Sequence, residues 1–462
     1  MAVLARWRAH SVRVPAGGTT SPQDGVIGQA VVVTSADDLL EDLQWRGLIA
    51  NSTDLGALRE ALDEGPVTYY CGFDPTAPSL HIGNLVQILT LRRLQLAGHR
   101  PLALVGGATG LIGDPKPSAE RSLNDRETVA NWVERVRGQI EPFLAFDGAN
   151  PALMVNNLDW TAPMSAIDLL RDVGKHFRVN KMIAKDAVSA RLHSDVGISY
   201  TEFSYQILQG MDFLELYRRH GCVLQTGGND QWGNLTAGLD LIHRVEGRSV
   251  HAFATPLITK ADGTKFGKTE TGTVWLDPAM TTPYAFYQFW VNADDRDVIA
   301  YLKVFSFRSP AEIDALEEAV RARPAAREAQ RALADELTDL VHGSAERDAV
   351  ASASRALFGR GALDDLAAPT LEAALAELPR ATVTLDEAGA LPTVVDLLAS
   401  TGLCASRSAA RRAVEEGGAY LNNARVDDVE ARPDVADLLA GRWLVLRRGK
   451  RHLAAVDLTN PV

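Results

Sequence analysis

Residues 69–84 read Tyr-Tyr-Cys-Gly-Phe-Asp-Pro-Thr-Ala-Pro-Ser-Leu-His-Ile-Gly-Asn. An apolar run, Val67 to Cys71, stops at Gly72-Phe73-Asp74-Pro75. His81-Ile82-Gly83-Asn84 then opens an amphipathic stretch, Leu85 to Leu96. The pattern is strand, turn and helix start. Backbone N–H groups at a helix N-terminus attract anions. A histidine there, with a glycine that admits a ligand close to the backbone, suits a nucleotide. A plain βα turn with a capping histidine has the same pattern, and the turn alone does not separate the two.

Working outward, helical pattern begins near Ser35, with Leu39, Leu40, Leu43 and Leu48 on an apolar face. Strand-like runs at Thr68–Cys71, Leu102–Val105, Leu153–Val155, Val223–Gln225 and His251–Ala254 alternate with helical stretches. This predicts an α/β fold: a Rossmann-like parallel sheet with helices on both faces. Ligands in such sheets lie beyond the carboxyl ends of the strands. From about Tyr284 the strand signal fades, and helices rich in Ala, Glu and Arg run to about Phe358. The Ala-, Pro- and Asp-rich stretch that follows reads as a linker. The last 70 or so residues carry two helical patterns, Thr393–Thr401 and Ser406–Glu416, and strands at Ala419–Leu421 and Trp443–Leu446. The expected divisions are 1–34, 35–275, 276–358, 359–390 and 391–462.

The chain has 462 residues, more than one core holds, with 46% hydrophobic and 23% charged residues and a net charge of -12. It is not basic overall, so any RNA contact must come from a local patch. No apolar stretch is long enough to span a bilayer. Cys71, Cys222 and Cys404 lie far apart, which fits a reducing compartment and neither a disulfide framework nor a zinc site. Residues 1–34 carry Arg6, Arg8 and Arg13 before any acid, then Pro, Gly, Ser and Thr. They are expected to be a disordered extension; a transit peptide has a similar composition.

Four further stretches carry chemistry. In Thr201–Arg219, Tyr205, Gln209 and Asp212 fall at i, i+4 and i+7, on one face of a helix. Their neighbours Ile207, Leu208, Met211 and Phe213 are apolar, and a buried polar stripe needs partners. A small hydrogen-bonding pocket fits these residue types better than a solvent face. Residues 225–233, Gln-Thr-Gly-Gly-Asn-Asp-Gln-Trp-Gly, end a strand in two glycines that let a ligand approach. Asp230 there could cap the next helix or accept hydrogen bonds from ribose hydroxyls. Residues 261–269, Ala-Asp-Gly-Thr-Lys-Phe-Gly-Lys-Thr, place Lys265 and Lys268 on a glycine-flanked loop. Such a loop can gather pyrophosphate charge and release it. No P-loop pattern precedes it. Finally, Arg407, Arg411 and Arg412 lie on a predicted helix, and Arg447, Arg448 and Lys450 on a strand and turn. With Arg451 and His452 they form a candidate phosphate-binding patch.

Taken together, these blocks closely resemble the bacterial-type tyrosyl-tRNA synthetases, class I aminoacyl-tRNA synthetases, from about Ser35 to the C-terminus. Pro75–Asn84 looks like the family's HIGH signature and Lys265–Thr269 like its KMSKS signature. Val67–Asp74, the loop Val105–Pro115, the polar helix stripe and the 227–232 block follow in the family's order. The last unit resembles the S-four-type RNA-binding domain, and residues 276–358 the helical anticodon-side domain. The resemblance implies that Tyr70 and Asp212 hold the phenolic hydroxyl of tyrosine. Asp114, Tyr205 and Gln209 would hold its α-ammonium, and Gln231 would lie near its carboxylate. Cys71, Gly228 and Asp230 would contact the ribose of ATP. Asp74, Thr76, His81, Gly83 and Asn84 would surround the ATP, with Thr76 and His81 at its phosphates. Lys265 and Lys268 would stabilise the departing pyrophosphate, and the C-terminal arginines would meet tRNA. Asn84 stands where the signature has histidine, and the lysine loop reads Lys-Phe-Gly-Lys-Thr.

The implied reaction joins tyrosine to ATP as tyrosyl-adenylate and then to the 3′ end of tRNA(Tyr). ATP enters with Mg2+ as substrate, and no protein-bound metal site is expected. A cytoplasmic homodimer without membrane contact is implied. Two other classes remain compatible with the motifs: a related adenylate-forming enzyme, tryptophanyl-tRNA synthetase being the nearest, and a non-catalytic RNA-binding protein of the same fold.

Overall fold

Six strands form the central sheet in the order β1-β6-β5-β2-β3-β4. They are β1 (Asn51–Ser52), β2 (Thr68–Phe73), β3 (Arg100–Val105), β4 (Leu153–Asn156), β5 (Cys222–Gly228) and β6 (His251–Thr255). The computed structural model describes residues 36–115, 123–193, 197–264, 266–269, 272–358, 361–387, 389–450 and 452–459. The expected N-terminal extension and Lys265 lie outside these residues. The five longer strands pair in parallel. The sheet departs from the expected parallel arrangement at one edge, where β1 runs antiparallel to β6. Two residues of pairing are too short to leave a period-two signal in the sequence.

β2 continues through the helix Ile82–Leu96 to its neighbour β3, while β5 lies on the other side of β2. Chain direction across the sheet therefore diverges between β2 and β5, the place where open α/β sheets bind ligands. The turn at Asp74 and the glycines at Gly227-Gly228 sit at the carboxyl ends of these two strands.

The histidine that opens the Ile82–Leu96 helix is its N-cap, and its ring accepts a hydrogen bond from the Gly83 N–H at 3.0 Å. Asn84 returns the bond: its Oδ1 accepts from the His81 N–H at 3.1 Å. The amide standing in the signature's last position thus completes a capping box. Asn84→Ala should cost about 0.5–2 kcal/mol of stability, read as a lowered unfolding temperature.

A helical section follows the sheet, and the hydrophobic core runs from one into the other without a break. Arg46 and Arg93, both buried, cross this junction. Arg46 donates to the carbonyls of Lys303 (3.1 Å), Ser306 (3.0 Å) and Arg308 (2.7 Å), and Arg93 donates to that of Ser306. These carbonyls lie at and just beyond the C-terminus of the helix Val298–Phe305, where cations are favoured. Burial pulls the Arg93 guanidinium down to about 9. The aromatic ring of Phe266 packs against Phe289, Trp290, Tyr301 and Phe305 of the same helical section, stacking on Phe305 at 5.4 Å.

The stretch 359–390, expected as a linker, is ordered in its larger part. It forms the helix Ala368–Ala376 and the strand Arg380–Val383, which joins the C-terminal sheet parallel to His452–Leu458. Its Ala- and Pro-rich composition hid a strand whose partner lies some 70 residues later. In that sheet Leu444 and Leu446 face the unit's own core, while Trp443 and Val445 join the main core. The alternation is the period of two that a strand buried on both faces requires.

Candidate active site

The loop after β3 approaches the β2 turn closely. Gly106 has no room for a side chain: a Cβ there would run into Asp74 Oδ1 and Thr109 Oγ1. That close approach lets Thr109 donate to Asp74 Oδ1 at 2.6 Å, and Tyr205 donates to Asp74 Oδ2 at 2.7 Å. Asp74 therefore joins the β2 turn to the polar stripe on the helix Tyr200–His220. Burial, with Asp74 next in weight, holds the Tyr205 phenol well above its usual range, so it is a donor at any ordinary pH.

Asp212, on the same helix two turns on, is 1% exposed. Trp160 Nε1 donates to its Oδ1 at 2.9 Å and Asn157 Nδ2 to its Oδ2 at 3.0 Å. Asn157 is itself fixed, accepting from the Ala108 N–H at 2.7 Å. Desolvation raises the Asp212 carboxyl to about 7, against the pull of these two donors. Folding thus binds this proton more tightly than the unfolded chain does. Its contribution to stability is present at low pH and is lost as pH rises from about 4 to about 7.

Three buried polar atoms near this carboxylate have no hydrogen-bond partner: Tyr70 Oη, Gln209 Oε1 and Gln225 Oε1. Tyr70 and Gln225 are register partners on β2 and β5, and the Tyr70 ring lies 5.2 Å from that of Phe213 beside Asp212. Burial and then Asp212 raise the Tyr70 phenol. Each orphaned group costs about 1–3 kcal/mol unless something meets it. Tyr70, Gln209 and Asp212 thus offer donors and acceptors to a small polar ligand.

Toward the start of the helix Trp232–Glu246, Asp114 accepts from Gln231 Nε2 at 3.1 Å and from Asn234 Nδ2 at 3.4 Å. A cavity of about 480 Å3 opens here, lined by Asp114, Lys185, Tyr205, Gln206, Asp230 and Asn234 among others. Asp230 is exposed and makes no cap hydrogen bond to the helix, so the expected capping role is not seen. Cys71 is buried, and desolvation pushes its thiol up to about 12, so it stays a neutral thiol. Its sulfur lies 3.8 Å from Gln87 Oε1, one turn beyond Asn84. Thr76 is exposed at the turn, and His81 is half-buried. Gly83 is exposed at the helix start. The Lys268 backbone pairs with Thr273 in a short hairpin; its side chain lies outside the described residues.

The basic residues at the C-terminus are partly committed to acids. Arg407 pairs with Asp396 at 2.6 Å and Arg411 with Glu430 at 2.8 Å. Arg447 lies 3.8 Å over the Tyr420 ring, and Arg448 donates to the Leu403 carbonyl. Arg412 and Lys450 are exposed.

Asn157, Trp160, Thr109, Asn234 and Lys185 escaped the sequence reading. Asn157 had a legible signal, a polar residue just past the end of an apolar strand. Trp160, Thr109 and Lys185 meet the site through long-range packing, and Asn234 joins it both locally, through Gln231, and at long range, through Asp114.

Residues 62–359 match the family of tRNA synthetases class I (W and Y). The sheet, the turn between β2 and its helix, and the polar cleft define that class of enzyme. Residues 370–456 match the tyrosine--tRNA ligase SYY-like C-terminal domain. The tyrosine--tRNA ligase of Streptomyces coelicolor is 68% identical over 423 residues, 91% of this chain and 99% of that protein. That of Streptomyces avermitilis is 69% identical with the same coverage. The solved structure of a C-terminally truncated mitochondrial tyrosyl-tRNA synthetase from Aspergillus nidulans aligns with a TM-score of 0.63 at 30% identity, covering 69% of this chain and 94% of that one. The chain belongs to the tyrosine--tRNA ligase family.

Proposed function

We propose that this cleft carries out the reaction of the family: it activates L-tyrosine with Mg-ATP to tyrosyl-adenylate and diphosphate, then transfers tyrosine to tRNA(Tyr). The observation that carries the reading is the orphaned Tyr70 hydroxyl beside the Asp212 carboxylate, a donor and an acceptor buried where a phenol would reach both.

In this reading Tyr70 and Asp212 hold the phenol, and Asp114, Tyr205 and Gln209 the α-ammonium. Gln231 faces the reacting carboxylate. Cys71, Gly228 and Asp230 take the ribose. Asp74 braces Tyr205 beside the ATP, and Thr76, His81, Gly83 and Asn84 line the phosphate end. Lys265 and Lys268 draw off the diphosphate. No protein nucleophile is needed; the residues position two substrates and stabilise phosphate charge. Amino-acid-dependent ATP–pyrophosphate exchange tests the assignment. Exchange with tyrosine supports it, whereas exchange with tryptophan, or with no amino acid, overturns it.

A phenol donating to Asp212 needs the ionised carboxylate. Binding of tyrosine should therefore release a proton, and its affinity should be flat above about pH 7 and fall by up to about tenfold per unit below it. Asp212→Asn should flatten the profile, and calorimetric titration in two buffers reads both effects.

We also place tRNA against Arg407, Arg411, Arg412, Arg447, Arg448 and Lys450, and the protein in the cytoplasm as a homodimer. The dimer has support in the surface. Among the described residues, half of the large apolar side chains left exposed, including Ile167, Leu170, Val179, Ile183 and Tyr200, fall between residues 158 and 200. No helix among the described residues is long and apolar enough to cross a membrane.

A further inference from the structure

Lys185 precedes the short helix Asp186–Leu192 and reaches across the cavity to the first turn of the Trp232–Glu246 helix. Its ammonium donates to the Gly233 carbonyl and, at 3.3 Å, to Asn234 Oδ1. An ammonium has only protons to offer, so it selects the oxygen end of the Asn234 amide. The nitrogen end must then point the other way. Asn234 Nδ2 donates to Gln231 Oε1 at 2.8 Å and to Asp114 Oδ1 at 3.4 Å. That bond in turn fixes Gln231. With its oxygen accepting from Asn234, its Nε2 is left to donate to Asp114 Oδ2 at 3.1 Å. The chain of bonds runs Lys185, Asn234, Gln231, Asp114, and every amide in it has one polarity.

We propose that Lys185 is a positioning residue that sets the orientation of Asn234 and Gln231, so that Gln231 presents N–H rather than carbonyl oxygen to the carboxylates at the ammonium end of the tyrosine site. The inference rests on the reading of Asp114 and Gln231 as tyrosine-facing residues. Reversal of either amide would set a carbonyl oxygen against the Asp114 carboxylate. The same reversal would turn the Gln231 oxygen toward the substrate's reacting carboxylate. Burial holds the Lys185 ammonium down, to about 8, while Asp114 opposes the shift, so the cation is kept in place by the carboxylate it organises. Lys185 touches neither substrate in this scheme; it acts through Asn234.

Three single variants and one double variant test the relay by tyrosine-dependent ATP–pyrophosphate exchange. Lys185→Met keeps most of the unbranched side chain and removes the charge. It should lower kcat/KM for tyrosine by about tenfold or more, with KM for ATP and the unfolding temperature nearly unchanged. Lys185→Arg retains a cationic donor and should recover most of the loss. Asn234→Asp still accepts from Lys185 but has no N–H for Gln231, and should lose as much as Lys185→Met. The double variant Lys185→Met/Asn234→Asp should be no worse than Asn234→Asp alone, because one relay is broken once. Wild-type rates in Lys185→Met or in Asn234→Asp overturn the proposal. So do losses that multiply in the double variant, or a loss in Lys185→Met that falls on ATP and on stability and that arginine fails to rescue. If Lys185→Met does not fold, the Asn234→Asp arm decides by itself. Absence of exchange in the wild-type protein would count against the function reading; exchange that survives both single variants would count against the relay alone.

Discussion

Asp212→Ala should collapse the preference for tyrosine over phenylalanine. The carboxylate is buried, and its two oxygens are presented by Trp160 and Asn157, residues from the segment after β4. With tyrosine bound, the phenol satisfies both Asp212 and the Tyr70 hydroxyl. Phenylalanine leaves the Tyr70 hydroxyl unmet and the Asp212 carboxylate with its two protein donors alone, both groups desolvated. An unmet partner of this kind costs about 1–3 kcal/mol, more when it is charged. Two of them give a discrimination that one substitution largely removes, so the ratio of kcat/KM values for tyrosine and phenylalanine in pyrophosphate exchange should fall by about a hundredfold or more. The alanine variant also frees Trp160 and Asn157 of their acceptor, so some loss of stability should accompany the change. Asp212→Asn keeps one acceptor and should fall between. An unchanged ratio in both variants would remove Asp212 from the phenol site.

The second large effect concerns His81. Its Nδ1 accepts from the Gly83 N–H, and burial lowers its pKa, so the neutral ring carries its proton on Nε2. That N–H is free to donate where phosphate charge develops. His81→Asn separates the two duties of this residue, because asparagine caps a helix well but cannot reach as far. Adenylate formation should slow by about 10²–10³, the loss typical of one preorganised donor. Tyrosine affinity should stay as it is, and the unfolding temperature should hold. Pre-steady-state measurement of adenylate formation, beside equilibrium binding of tyrosine, separates these outcomes; a weakened tyrosine affinity at full rate would exclude the role.

The strand-turn-helix at 67–96 was legible because its signals are local: an apolar run, a Gly/Pro break and a cap, although the helix that follows is buried on most of its faces and not amphipathic as expected. The stripe at 205, 209 and 212 was legible by its period. What supports these residues was not. Trp160 and Asn157 meet Asp212 across more than fifty positions, and Lys185 meets Asn234 from an irregular segment with no repeating pattern. The strand 380–383 was hidden for the same reason, since a parallel pairing depends on its distant partner and leaves no turn signal. The arginines at 407 and 411 read as a free patch by spacing, while the acids that pair with them come from other elements.

Arg46 and Arg93 bear on how freely this family of parts can be recombined. Arg46 pairs with Asp42 one turn before it, and both guanidiniums donate to backbone carbonyls of the helical half. A chimera cut near residue 275 and joined to a foreign helical half inherits both cations, and Asp42 with them, but none of these carbonyls. It must leave those buried N–H groups unmet, hydrate them, or replace the two arginines. The seam that looks like the natural place for scissors is therefore the one place where the two halves carry each other's complement, and exchange across it should succeed only when residues 303–308 travel with the catalytic part.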